Sequence, residues 1–208
     1  VLDLGYLGMI PDLLIMAPSD ENELRRMLAT ALAHEAGPSA LRYPRGAALG
    51  LSEKAALEPL VAGRARILRD GQDCSLWALG SMVRPALAAA ELLGARGIDA
   101  GVVDARFMAP LDRQALLAEA DSGRLLVTLE ENNPVGGFGE AVLRLLITEG
   151  KRPPLLPLSL PHGFTGQGGR EALLAELGLD GPGISDRVAD ALAGERGMAD
   201  GRALGRIR

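Results

Sequence analysis

The first 46 residues follow the pattern of a strand, a helix and a second strand. An apolar run at residues 13–16 predicts a buried strand, and the apolar residues that follow recur at the spacing of one helix face. Asp20 predicts the start of that helix as its N-terminal cap, with Glu23 reaching back to complete a capping box. Residues 39–43 predict the second strand, which must stop at Pro44 because proline has no N–H to donate to a sheet.

The rest of the chain predicts a second, larger unit. Residues 51–62 have no hydrophobic period and are interpreted as a linker, whereas residues 63–193 alternate apolar runs with helical patterns. That alternation is typical of a mostly parallel sheet covered on both faces. The predicted strands are 65–68, 75–79, 99–103, 125–129 and 155–158, and the predicted helices are 85–93, 112–120, 139–148, 170–177 and 184–192. Gly71 predicts a hairpin between the first two strands, and residues 194–208, which lack an apolar period, predict a flexible tail.

Composition and charge exclude several classes of function. The 208 residues carry a net charge of -5, which argues against a nucleic-acid partner because phosphate backbones require a basic face. One cysteine and two histidines leave too few ligands for a disulfide or a zinc centre. No apolar run approaches the roughly 20 residues that cross a bilayer, so we expect no membrane partner. The chain begins without methionine or a signal peptide, and we expect it to be a piece of a longer protein.

Arg45 is the strongest candidate for a binding residue. Pro44 ends the preceding strand and Gly46 allows the chain to turn away, so Arg45 is expected at the carboxyl end of a strand. Open parallel sheets bind their ligands at that edge, and a guanidinium matches a phosphate or a carboxylate. An ion pair with a neighbouring acid is the other role that the residues leave open.

Four further features carry weaker signals. The segment 130–139 follows a strand and opens a helix, but its two acids would repel an anion, so we interpret it as packing over the helix start. His162 lies in a loop without a nucleophile or acid in a recognisable relation to it, which favours a surface role. His34 is expected near the last carbonyls of its helix, and Cys74 is expected as a small buried group. The residues alone therefore predict one anion-binding arginine and no catalytic set.

Several segments together resemble the 1-deoxy-D-xylulose 5-phosphate synthase family. They are residues 3–11, 15–23, 37–46, 103–112, 130–132, 160–164 and 177–180. They occur in the family's order, and the Tyr-Pro-Arg-Gly segment after Gly-Pro-Ser is the most specific of them. The resemblance implies that residues 1–50 are the C-terminal part of a pyrimidine-binding domain of the transketolase type. It implies that residues 63–193 are the smaller transketolase C-terminal-like α/β domain.

The resemblance also implies a chemistry. The family condenses pyruvate with D-glyceraldehyde 3-phosphate, with loss of carbon dioxide, in the first step of the non-mevalonate isoprenoid pathway. Its enzymes are cytoplasmic bacterial homodimers that use thiamine diphosphate and Mg²⁺. By similarity, Arg45 corresponds to an arginine that holds the substrate phosphate, and Arg42 is left structural. The family's catalytic, cofactor-binding and metal-binding residues have no counterpart here, so we assign none and expect the chain alone to be inactive.

A non-catalytic role is the alternative. The chain is then an assembly or regulatory module of a transketolase or of a 2-oxoacid dehydrogenase beta subunit. Residues 1–46 favour the synthase, because an independent module does not need half a domain that ends in a phosphate-reading arginine.

Overall fold

The computed structural model describes residues 2–48, 50–51, 57–164 and 166–204, with side chains described as far as residue 194. The elements in chain order are α1 (Asp3–Leu7), β1 (Leu14–Met16), α2 (Glu21–Ala33), β2 (Ser39–Leu41), β3 (Arg66–Arg69), β4 (Cys74–Ala78), α3 (Val83–Ala95), β5 (Ala100–Asp104), β6 (Phe107–Ala109), α4 (Arg113–Ser122), β7 (Leu125–Leu129), α5 (Phe138–Thr148), β8 (Leu155–Leu158), α6 (Arg170–Glu176) and α7 (Gly181–Leu204). A short 3-10 turn, Gly80–Met82, precedes α3. The α/β class is therefore confirmed. Of the predicted linker, residues 52–56 lie outside the described residues, and residues 57–62 form no helix or strand.

The larger sheet is mostly parallel, as the alternating pattern predicts. Its strand order is β3-β5-β4-β7-β8, and three of its four pairings are parallel. The predicted hairpin between the first two strands is wrong, because β3 pairs antiparallel with β5 and not with β4. Gly71 instead crosses close to the neighbouring strand, where a Cβ on Gly71 would lie 2.0 Å from the backbone nitrogen of Gly101. Turn chemistry at Gly71 was visible in the sequence, but the identity of the pairing partner was not.

Alternate residues of each central strand face opposite sides of this sheet, which produces two cores. In β4, Leu76 lies in the core formed with α3, α6 and α7, while Trp77 lies in the core formed with α4 and α5. The two-residue period of a strand explains this division, and it explains why the strands read as continuous apolar runs.

The first unit packs into the second of these cores. Leu4, Leu13 and Ile15 lie in the same buried cluster as Trp77 and as the apolar face of α5. A smaller sheet of order β2-β1-β6 covers this region, with β1 parallel to β2. Its third strand, β6, comes from the second unit and pairs antiparallel with β1. The two predicted units therefore share one core and one sheet.

Buried polar contacts stabilise the packing of the first unit against the second. Asp20 caps α2 as predicted, and its carboxylate accepts from the Glu23 N–H at 2.8 Å. The prediction that the Glu23 side chain completes a capping box is wrong. That side chain is buried, and its carboxylate accepts a hydrogen bond from the Arg106 guanidinium at 2.7 Å instead. Ser19 donates to Asp104 at 2.6 Å, and burial raises the pKa of Asp104 to about 6. Local sequence favoured a capping box, but a partner 83 residues away displaced it.

Helix α7 extends beyond its predicted end. The apolar spacing stops near Leu192, yet the backbone stays helical to Leu204, where the sequence predicts a tail. Alanine, glutamate, arginine and methionine in this stretch are strong helix formers, so intrinsic propensity favours a helix here without an apolar period, although the stretch also contains three glycines. Residues 205–208 lie outside the described residues.

The close crossing at Gly71 gives a stability prediction. Gly71→Ala should lower the free energy of unfolding by about 3 kcal/mol, because the added methyl meets backbone that cannot rotate away. Urea denaturation measures the change. The control is Gly194→Ala at an exposed position of α7, where an added Cβ meets open space and should leave stability unchanged or slightly raised. Equal stability of the two variants would contradict the crossing.

Candidate functional site

A groove of about 610 Å³ opens where the end of β2, the loop after β7 and helix α6 meet. Leucines form the apolar part of its wall, among them Leu41 of β2 and Leu173 and Leu174 of α6. The charged side chains of the groove are Asp3, Arg42, Arg45, Glu131 and Arg170. It therefore lies at the carboxyl edge of strands from both units, which is where open α/β sheets bind their ligands.

The sequence predicted correctly that the chain leaves the sheet before Pro44. Strand β2 ends at Leu41, two residues before the predicted end, and the Arg42 N–H makes one more ladder bond to the Met16 carbonyl at 2.8 Å. Beyond it the chain bends at Arg45 and Gly46, and both residues are exposed. Arg45 therefore reaches the groove from the end of a strand.

Two of the three arginines in the groove are neutralised by carboxylates. Arg42 lies 3.1 Å from Asp3, measured from Nε to Oδ2, and Arg170 lies 2.6 Å from Glu131, measured from Nη2 to Oε2. Among the described residues, Arg45 forms no ion pair. Within the described part of the chain, the groove thus retains one positive charge without a protein counter-ion, and an anion would complement it.

The Asp3 carboxylate reflects this pairing. Burial by itself would raise the pKa of Asp3, but the Arg42 guanidinium and the hydrogen bonds of the carboxylate bring it below the ordinary value. Asp3 is therefore an anion at neutral pH and stabilises the charge of Arg42. The resemblance predicts a structural role for Arg42, and its side chain, 16 % exposed, contacts Asp3 and the carbonyl of Glu131, which lie in separate parts of the chain.

The 130–139 segment holds a helix and does not bind an anion through that helix. The buried Glu130 carboxylate accepts from the N–H groups of Phe138 and Gly139 at 2.7 and 2.8 Å. It thereby occupies the helix N-terminus, where a phosphate-binding loop would hold its ligand. A Cβ on Gly137 would lie 2.5 Å from this carboxylate, so only glycine permits the approach. These contacts agree with the interpretation of the segment as packing over the helix start.

Glu131 is a residue whose role the sequence did not reveal. Its carboxylate accepts from Ser81 at 2.8 Å and from two nitrogens of Arg170, and its carbonyl accepts from Arg42 at 2.7 Å. These partners are 39 to 89 residues distant in the chain. A second acid directly after a strand was the visible signal, but its partners depend on the tertiary fold.

The remaining candidates have structural positions. His162 is exposed, and its Nδ1 lies 3.1 Å from Oδ1 of Asn133. His34 ends α2, and its N–H donates to the Ala31 carbonyl. Cys74 is fully buried at the start of β4, and burial raises the pKa of its thiol to about 12. A thiol in this state is a poor nucleophile.

The described part of the chain contains neither a group of side chains suited to a metal ion nor a helix suited to a membrane. No group of three or more histidine, cysteine, aspartate or glutamate side chains is placed there to hold a metal ion. No helix among the described residues combines the length and the apolar character needed to cross a bilayer.

Comparison with known families decides the relationship. The family described as transketolase, C-terminal domain, matches residues 63–184, which is more than half of the chain. The chain belongs to the transketolase family. The transketolase pyrimidine binding domain matches residues 1–49, so this transketolase-family chain contains sequence of both domain types.

Curated relatives confirm the resemblance to the synthases. The 1-deoxy-D-xylulose-5-phosphate synthase of Syntrophotalea carbinolica is 43% identical over 98% of this chain and 32% of its own length. That of Thiobacillus denitrificans is 49% identical over 92% of this chain and 30% of its own length. The chain thus spans about a third of the length of the curated relatives it matches.

Solved structures confirm the fold. A split-gene transketolase, described as an inactive β4 tetramer, has a TM-score of 0.77 and 30% identity, covering 92% of this chain and 60% of its own. A Pichia stipitis transketolase has a TM-score of 0.68 at 19% identity, covering 93% of this chain and 27% of its own, and shows the fold alone.

Burial of Glu130 generates a prediction for pH dependence. Burial raises the pKa of Glu130 to about 7, although the two N–H donors and Arg42 act in the opposite direction. The folded state then binds this proton more tightly than the unfolded state, so stability decreases as pH rises from about 4.5 to 7. Relative to Glu130→Gln, the wild-type chain should lose roughly 3 kcal/mol across that range.

Urea denaturation of both proteins at several pH values measures this difference. The exposed Asp190→Asn variant controls for the loss of one negative charge. An increase of the wild-type advantage with pH would show that the backbone donors and Arg42 outweigh burial, and would refute the prediction.

Proposed function

We propose that this chain is the C-terminal part of a 1-deoxy-D-xylulose-5-phosphate synthase. In this proposal the complete enzyme condenses pyruvate with D-glyceraldehyde 3-phosphate and releases carbon dioxide. Thiamine diphosphate, bound with Mg²⁺ by residues outside the described ones, supplies the carbon nucleophile. Support comes from the identity to synthases along nearly the whole chain and from the match to the pyrimidine binding domain.

Within that enzyme, Arg45 binds the phosphate of D-glyceraldehyde 3-phosphate. The observation that carries this assignment is the charge balance of the groove, where both carboxylates are paired with Arg42 and Arg170 and Arg45 is not. A phosphate supplies the missing counter-ion and accepts two parallel hydrogen bonds from the guanidinium.

The division of labour follows from the same distribution of residues. This chain contributes substrate binding at the aldehyde acceptor's phosphate, and it contributes the transketolase C-terminal domain that supports the strand end. Proton transfer and cofactor activation require titratable groups near the reacting carbon, and we assign none to this chain. The enzyme is expected to act in the bacterial cytoplasm as a homodimer.

An independent subunit is the second candidate function. The observation that favours it is the similarity to a split-gene transketolase described as an inactive β4 tetramer, 60% of whose length this chain covers. In that case the chain would assemble with a separate polypeptide that completes the enzyme. The reading frame upstream of Val1 distinguishes the two candidates, because a single-chain synthase requires a continuous frame about three times as long as this chain.

Activity should require the complete protein. The purified product of the complete reading frame, supplied with thiamine diphosphate and Mg²⁺, should release carbon dioxide only when both substrates are present. The 208-residue chain alone should release none, because it spans only about a third of the length of the synthases that it matches. Steady carbon dioxide release by the isolated chain, or its absence from a folded complete protein, would overturn the proposal.

Replacement of Arg45 should affect one substrate only. In the complete protein, Arg45→Met should raise the KM for D-glyceraldehyde 3-phosphate about 10- to 100-fold, the range expected for lost hydrogen bonds to a charged group. The KM for pyruvate should stay near the wild-type value. Steady-state kinetics measure both constants, and the exposed Arg84→Met on α3 is the matched control. A rise in the KM for pyruvate alone would contradict the proposal, because it would show that Arg45 serves the other substrate.

A further inference from the structure

Arg42 connects three segments that are remote from one another in the chain. Its Nε donates to Asp3 in α1 at 3.1 Å, and its Nη2 donates to the Glu131 carbonyl after β7 at 2.7 Å. Its own N–H continues the ladder of β2 to Met16 at 2.8 Å. The side chain therefore ties the end of β2 to an element on each side of the groove.

The carbonyl that accepts from Arg42 is held firmly. The adjacent Glu130 carboxylate caps helix α5, and the Glu131 carboxylate is bound by Ser81 and Arg170. Both acidic side chains are thus engaged by different elements of the second unit, and rotation of the peptide between β7 and α5 would break those contacts. Arg42 is consequently anchored to the rigid edge of the larger sheet and not to a mobile loop.

Arg45 lacks an anchor of its own. It lies three residues beyond Arg42, is exposed, and forms no ion pair among the described residues. Pro44 restricts the backbone between them, because its ring fixes one dihedral angle. The position of the Arg45 backbone is therefore transmitted from Arg42 through a short and stiff connection.

We propose that Arg42 is a positioning residue that holds Arg45 at the distance required for phosphate binding, by clamping the end of β2 to Asp3 and to the carbonyl of Glu131. This role rests on the proposed function of Arg45 and extends it. Through the clamp, the transketolase C-terminal domain takes part in substrate recognition without a direct contact to substrate. Arg42 is not assigned a contact with the phosphate, since its Nε and Nη2 already donate to Asp3 and to the Glu131 carbonyl and its charge is paired with the Asp3 carboxylate.

The test compares phosphorylated with unphosphorylated acceptor in the complete protein. The phosphate preference is the kcat/KM for D-glyceraldehyde 3-phosphate divided by the kcat/KM for D-glyceraldehyde. Arg45→Met removes the phosphate contact and should lower this preference. Arg42→Met should lower it about 10-fold, because a small displacement of a binding group is costly. The double variant should match Arg45→Met within about 2-fold, since Arg42 acts through Arg45.

Matched variants separate positioning from general destabilisation. Arg113→Met removes a two-bond arginine–carboxylate pair with Glu149 elsewhere on the second unit and should leave the preference unchanged. Asp3→Asn preserves shape and weakens one side of the clamp, so it should give a smaller loss than Arg42→Met. If Arg42→Met does not fold, Asp3→Asn and Arg42→Lys, judged against the same double-variant criterion, decide the question.

The possible failures are distinguishable. An unchanged preference in Arg45→Met would reject the phosphate assignment and with it the proposed role of this residue. A lowered preference in Arg45→Met, combined with an unchanged preference in Arg42→Met, would reject only the positioning role. Losses that multiply in the double variant would also reject it, because they would show that Arg42 acts independently of Arg45.

Discussion

The antiparallel pairing of β6 with β1 is the interaction on which the rest of this structure depends. It places a strand of the second unit at the edge of the first unit's sheet, and it brings Arg106 over the start of α2. Arg106 has a backbone φ of 59°, which is strained for a residue with a side chain, and its carbonyl accepts from the Ala17 N–H while its guanidinium meets Glu23. Apolar burial beneath this junction supplies the favourable term that offsets the strain and the cost of burying charge.

The groove exists because the two units are joined in this way. Its walls come from β2 on one side and from α6 and the loop after β7 on the other, and neither unit contains both. Among its described residues, Arg42 pairs with Asp3 and Arg170 pairs with Glu131, whereas Arg45 forms no ion pair. A rigid surround with one uncompensated charge is an arrangement that favours binding of a small anion, because little reorganisation accompanies the binding.

Two buried acids, Glu130 and Asp104, have structural roles. The Glu130 carboxylate occupies the N-terminus of α5, where an external anion could otherwise bind. The Asp104 carboxylate accepts hydrogen bonds from the Ser19 hydroxyl and from the Arg106 N–H. Both groups are held in surroundings that disfavour their charged forms, yet each is provided with donors that fit a carboxylate. The charge pattern predicts that Glu130 and Glu131 repel an anion, but in the structure protein donors engage both carboxylates.

Much of this protein is determined locally. The hydrophobic period indicates the α/β class, and the covalent properties of proline end the strand before Pro44 and place Arg45 just beyond that end. The cap at Asp20 follows from the capacity of its carboxylate to accept a hydrogen bond at a helix start. Each of these causes acts within a few residues. Tertiary structure decided the rest. Strand β3 pairs with β5 and not with β4, and the Glu23 side chain accepts from Arg106 instead of capping its own helix. Glu131 accepts hydrogen bonds from Arg42 and Arg170. Each of these partners lies tens of residues away in the chain. The charge or hydrogen-bonding capacity of a residue shows that it needs a partner, but the packing of the core determines which partner it meets.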